Sequence, residues 1–62
     1  MDEGLKLAIE RAGSIRKLAR MLGISMQAVA KWKTVPAHQI IPLERSTGIP
    51  REMLRPDLYR RD

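Results

Sequence analysis

The stretch Ser14 to Lys33, SIRKLARMLGISMQAVAKWK, decides the fold: it reads as two short helices broken by a tight turn at Gly23. Ile15, Leu18, Ala19 and Leu22 recur at i, i+3, i+4 and i+7, which puts them on one helical face and Arg16, Lys17 and Arg20 on the other. Ser14 stands just before this apolar series, where its hydroxyl can accept from a first-turn N–H, and Gly13 eases the corner before it. Gly23 follows the last apolar residue, the place where a left-handed residue ends a helix without side-chain cost. Ser25 offers a second N-cap, Val29 and Trp32 share a face at i, i+3, and Ile24 closes the corner. Ala19, Leu22, Gly23, Ile24, Val29 and Trp32 thus have the types and spacing of a helix-turn-helix, with Ala19 small enough to let the helices meet. Ala19→Glu is expected to unfold or disable the unit by placing an unpaired charge in that contact.

Outward from this unit, 62 residues allow one domain, 1–62, near the lower limit for folding without disulfides or metals. The chain has no Cys, which removes disulfide frameworks and thiolate ligation and agrees with a reducing compartment. One His builds no metal site, so neither metal nor cofactor is expected. No apolar run approaches the roughly 20 residues of a membrane span, and MDEGLKLAIE lacks the order of a signal peptide, so a cytoplasmic protein with no membrane partner is the expectation. The formal charge is +5, and its placement is more telling than its sum. Between Arg11 and Thr34 stand Arg11, Arg16, Lys17, Arg20, Lys31 and Lys33 and no acid at all. A solvated basic face explains the charge alone; an acid-free window coinciding with a two-helix corner points to double-stranded DNA.

The first helix is expected to run to about Ala12, with Asp2 and Glu3 at its negative-preferring end, Met1 and Asp2 frayed, and Leu5, Ala8, Ile9 and Ala12 inward. Lys6 and Arg11 face out there as candidates for phosphate contact. After Lys33, Thr34-Val35-Pro36 breaks the helix into a turn. A further helix is expected over Gln39 to Thr47, ending at Gly48 and burying Ile40, Leu43 and Ile41. Pro42 is tolerable there because its missing N–H falls in the unsatisfied first turn, with a looser turn from Ala37 leading in. His38 reads as a cap or surface residue, not a ligand. Ile49 to Arg55 reads as a short helix with Pro50 at its first position and Pro56 as its stop, with Met53 and Leu54 inward. The tail 57–62 is expected to be extended through Tyr59 and loose at Arg60, Arg61 and Asp62; Leu58 and Tyr59 either close the core or meet a second copy. No strand pattern and no internal repeat occurs.

Over SIRKLARMLGISMQAVAKWK and VPAHQIIPLERSTGIPREMLRPDLY the sequence resembles the small Cro-type repressors of phages, and especially the Cro-like YdaS-type proteins classed as antitoxins. The resemblance is carried by L-G-I-S at Leu22 to Ser25, A-V-x-x-W at Ala28 to Trp32, V-P-A at Val35 to Ala37 and L-R-P-D-L-Y at Leu54 to Tyr59. It implies an all-α, lambda-repressor-like fold of five short helices, usually dimeric on operator DNA, with Ser25 to about Lys33 as recognition helix. By that resemblance Ser25, Met26, Gln27, Ala30 and Lys31 point outward, with Lys33 or Thr34 at the far end.

The chemistry of these side chains assigns their expected work. Gln27 can bond adenine N6 and N7 together, its bland alternative being a solvated helix glutamine. Lys31 suits guanine O6 and N7 or a phosphate equally, and Met26 and Ala30 suit a thymine methyl, although Met26 also reads as core filling. Arg16, Lys17 and Arg20, on the helix that crosses the backbone, are expected on phosphates, with Ser14, Ser25 and Lys33 beside them. Trp32 could stack on an unpaired base, but its spacing from Val29 favours the core.

A sequence-specific transcription regulator bound to a two-fold operator as a homodimer is therefore the leading expectation. The alternative is an antitoxin or protein-interaction module, partnered by a toxin, that touches DNA only for autoregulation. An enzyme is not expected, because acid-base, nucleophilic and metal chemistry all lack parts.

Overall fold

The computed structural model describes residues 1–59; the expectation for Arg60 to Asp62 lies outside them. Five α-helices follow one another: α1 (Glu3–Ala12), α2 (Ile15–Leu22), α3 (Met26–Ala30), α4 (Ile40–Thr47) and α5 (Arg51–Leu54), with a 3-10 turn over Ala37–Gln39 leading into α4. Among the described residues there is no strand. The core consists of Leu5, Ala8, Leu18, Ala19, Val29, Val35, Ile40, Leu43, Ile49 and Leu54, so each helix contributes to one apolar centre. Ile9, Ala12, Ile15, Leu22, Ile24, Trp32, Ile41 and Tyr59 pack against it from half-buried positions.

Local chemistry sets most of the helix ends. Ser14 Oγ accepts from Lys17 N–H at 3.1 Å and Ser25 Oγ from Ala28 N–H at 3.1 Å, the two caps the sequence predicts. Gly23 sits at φ 69°, ψ 31°, donating to the Arg20 carbonyl at 3.2 Å while Ile24 N–H reaches the Ala19 carbonyl at 3.0 Å. That pair of bonds is a Schellman motif, and it folds Ile24 back toward the helix it leaves. In α4, Pro42 is the third residue, so its absent N–H removes no helical bond, and the looser turn from Ala37 is present.

Five expectations need correction. Asp2 is not frayed: its carboxylate accepts from Leu5 N–H at 3.0 Å as the N-cap of α1, and its own N–H donates to the Lys33 carbonyl at 3.0 Å. α3 ends at Ala30 and not near Lys33, because Trp32 N–H closes a tight turn onto the Val29 carbonyl and the chain leaves to bury Val35 completely. Met53 is 53% exposed, since on so short a helix only Leu54 can face inward and Ile49 fills the adjoining space from the preceding loop. Pro50 caps α5 from a non-helical conformation, ψ 143°, instead of opening it. Residues 56–59 turn instead of extending: Leu58 and Tyr59 N–H both donate to the Arg55 carbonyl at 3.0 Å, which folds Tyr59 onto the core and leaves Leu58 exposed.

Three further contacts tie α5 and the last turn to the rest of the fold. Gly4, inside α1, lies so close to α5 that a Cβ there would stand 2.2 Å from the Leu54 carbonyl oxygen. Glu44 caps α5 from α4: one carboxylate oxygen accepts from Arg51 N–H at 2.7 Å and the other from its guanidinium at 3.1 Å. Arg51 also lies 5.6 Å from the centre of the Tyr59 ring, so a single guanidinium holds the last turn against α4.

Candidate nucleic-acid interface

The interface is built on α2 and α3. The buried side of α2 is Leu18 and Ala19, which leaves Arg16, Lys17 and Arg20 exposed on the opposite side. On α3 the buried residue is Val29, flanked by half-buried Ala28, so Met26, Gln27, Ala30 and Lys31 form an exposed stripe at i, i+1, i+4 and i+5. Ser25 is exposed at the head of the stripe and Lys33 at its foot, while Ser14 is half-buried at the start of α2. The predicted residues Ala19 and Val29 are buried, and Leu22, Ile24 and Trp32 pack partly buried around them. Trp32 is thereby committed to packing through much of its surface.

The electrostatics follow from the absence of local acids. None of Arg16, Lys17, Arg20, Lys31 and Lys33 forms an ion pair with a carboxylate among the described residues, where the ion pairs are Arg51–Glu44 and Arg55–Asp57. Four exposed cations without an ion pair among the described residues, Arg16, Lys17, Arg20 and Lys33, therefore accompany a stripe carrying one amide, one ammonium and two apolar side chains. Such a surface can neutralise phosphates and present hydrogen-bonding and methyl-matching groups to base edges.

Arg11 is exposed, and one arm of its guanidinium donates to the Thr47 carbonyl at 3.0 Å, closing the C-terminal end of α4. Lys6 and His38 are exposed and, among the described residues, make no side-chain bond.

Sequence reasoning missed two residues that border the site. Asp2 approaches the end of the α3 segment, where its second carboxylate oxygen accepts from the Thr34 hydroxyl. The window that is acid-free along the chain is bordered by a carboxylate in space. Arg55 donates to the Val35 carbonyl at 2.8 Å while Asp57 grips the same guanidinium through both oxygens, at 2.8 and 2.6 Å. The side-chain hydrogen bond to Asp57 raises the pKa of Arg55 and lowers that of Asp57. The R-P-D segment is thus a bidentate clamp. The signal for it was the segment's own residue order; the signal for Asp2 was only its fitness as a cap.

Among the described residues no group of three His, Asp or Glu side chains could hold a metal ion, and no helix is long and apolar enough to cross a membrane.

Comparison with known proteins agrees with this architecture. A family model described as bacterial toxin YdaS matches residues 5–62. No curated protein matches the chain. Among solved structures, the Cro protein from the putative prophage element Xfaso 1 in Xylella fastidiosa strain Ann-1 is similar to it. That protein is 33% identical, the match covers 94% of this chain and 97% of the other, and the TM-score is 0.82. The family description carries the word toxin where the sequence resemblance carried antitoxin.

Proposed function

The chain belongs to the YdaS family and has a Cro-type fold, and from that premise we propose that it is a transcription regulator that binds double-stranded DNA sequence-specifically through α3. One observation carries the reading: an exposed stripe of Met26, Gln27, Ala30 and Lys31 on the second helix of a helix-turn-helix is accompanied by exposed cations, Arg16, Lys17, Arg20 and Lys33, that form no ion pair among the described residues. Gln27 reads adenine through its amide, Lys31 bonds guanine or a phosphate, and Met26 and Ala30 meet thymine methyl groups. Arg16, Lys17, Arg20, Lys33 and the two cap hydroxyls, Ser14 and Ser25, hold the phosphates and set the register.

The regulator acts as a homodimer on its site, with half-sites about 34 Å apart. Of the residues considered for the contact between copies, Leu58 is exposed, whereas Ile41 and Tyr59 are half-buried against the chain's own core. The prophage Cro likeness supports a repressor. For a protein-interaction module with a toxin partner, no feature of the molecule speaks.

Selection of bound sites from random duplex DNA at a fixed salt concentration tests the proposal. A single enriched motif with two-fold symmetry is the expected result. Retention of duplex without enrichment of any sequence overturns specific reading, and absence of salt-sensitive retention overturns DNA binding altogether.

A further inference from the structure

A helix of five residues has too few internal bonds to hold its own position, so α3 depends on what grips its ends. Its start is set by Ser25 and the Gly23 turn. Its end is set from elsewhere in the chain. Residues 33–35 are held by Asp2, whose N–H donates to the Lys33 carbonyl and whose carboxylate accepts from the Thr34 hydroxyl, and by Arg55, which donates to the Val35 carbonyl. Asp2 is itself fixed as the N-cap of α1 through Leu5 N–H. A carboxylate beside these cations is electrostatically unhelpful to a phosphate-binding surface, and the work it does there is geometric: it caps α1 and grips residues 33 and 34.

We propose that Asp2 is a positioning residue for DNA recognition, holding the end of the α3 segment through Thr34 so that Gln27 and Lys31 meet base edges in register. This role rests on the DNA-reading function proposed above. Hydrogen bonds to bases tolerate only a few tenths of an ångström, whereas a flexible lysine follows a phosphate over a longer range. Loosening the grip on residues 33 and 34 therefore costs discrimination before it costs general affinity.

The test measures the affinity of the full chain for its selected site and for random duplex of equal length at one salt concentration. The variants are Thr34→Val, Thr34→Ser, Asp2→Ser and the double Asp2→Ser/Thr34→Val. Valine keeps the shape of threonine without the hydroxyl, serine at 34 keeps the hydroxyl, and serine at 2 keeps a cap acceptor for Leu5 N–H but lacks the second oxygen. An unfolded fraction lowers both affinities by the same factor and leaves their ratio unchanged, so a purely structural role does not move it.

The expected result is a site-to-random ratio reduced about fivefold in Thr34→Val and in Asp2→Ser, no further reduction in the double variant, and recovery in Thr34→Ser. An unchanged ratio in either single variant overturns the proposal. Independent, multiplying losses in the double variant also overturn it, by making Thr34 a direct DNA contact. A wild-type chain without preference for any site instead overturns the reading of function, and the positioning role falls with it.

Discussion

At the scale of single residues, exposure and close approach set the expected costs. Gln27 and Arg16 are both exposed but differ in what they can offer DNA, an amide with two matched groups against a charge that any phosphate satisfies. Gln27→Ala should weaken binding to the preferred site by about 1 to 3 kcal/mol with little change on random duplex. Arg16→Ala should weaken both and reduce the slope of log affinity against log salt by about one, read from titrations at several salt concentrations. Gly4 is the glycine with least room for a side chain, because the Leu54 carbonyl occupies the space a Cβ would take. Gly4→Ala ought to destabilise by about 1 to 3 kcal/mol in urea unfolding, although alanine is the better helix former, since backbone has to move. The sequence alone offers no sign of this, as a glycine inside a helical pattern looks merely weak until its neighbour is known.

Among elements, the ends of α2 and the start of α3 were legible because each depends on residues within one turn of it: Ser14, Gly23 and Ser25 cap as their side chains dictate. The joints between elements were not, because they are made by partners distant along the chain. Arg11 closes α4 across 36 residues and Asp2 reaches Thr34 across 32. Val35 reads as part of a turn in the sequence and is buried in the structure, and nothing in Thr34-Val35-Pro36 separates those outcomes. The joint of α4 with α5 is open to titration. Donation from the Arg51 N–H, reinforced by its guanidinium, holds the Glu44 carboxyl below the ordinary glutamate pKa. A carboxyl whose pKa is lower folded than unfolded stabilises above the unfolded value, and the gain is lost as pH falls through the folded one. Glu44→Gln should accordingly be less stable than the parent near neutrality, and the two melting curves should converge as the solution is acidified below the ordinary carboxylate range.

For the whole molecule, charge and packing are separate layers: the apolar centre draws on every helix, while five of the exposed cations that form no ion pair among the described residues, Arg16, Lys17, Arg20, Lys31 and Lys33, lie on α2 and the segment from Lys31 to Lys33. The all-helical class and the helix-turn-helix unit were readable because amphipathic spacing reports directly which side of a helix faces a core. The outward direction of Gln27 and Lys31 came from the family resemblance and agrees with their exposure, whereas the bounds of α3 were not legible, because beyond Ala30 the chain leaves to bury Val35 and is tied at residues 33–35 to Asp2 and Arg55. The brevity of α3 makes the surface it carries impossible to transplant. A synthetic peptide spanning 14–33 should give the circular dichroism of random coil in water and ignore the operator, and grafting the six residues from Ser25 onto an unrelated corner should carry no preference with them. A peptide that proved helical and selective by itself would mean that the surrounding chain is dispensable.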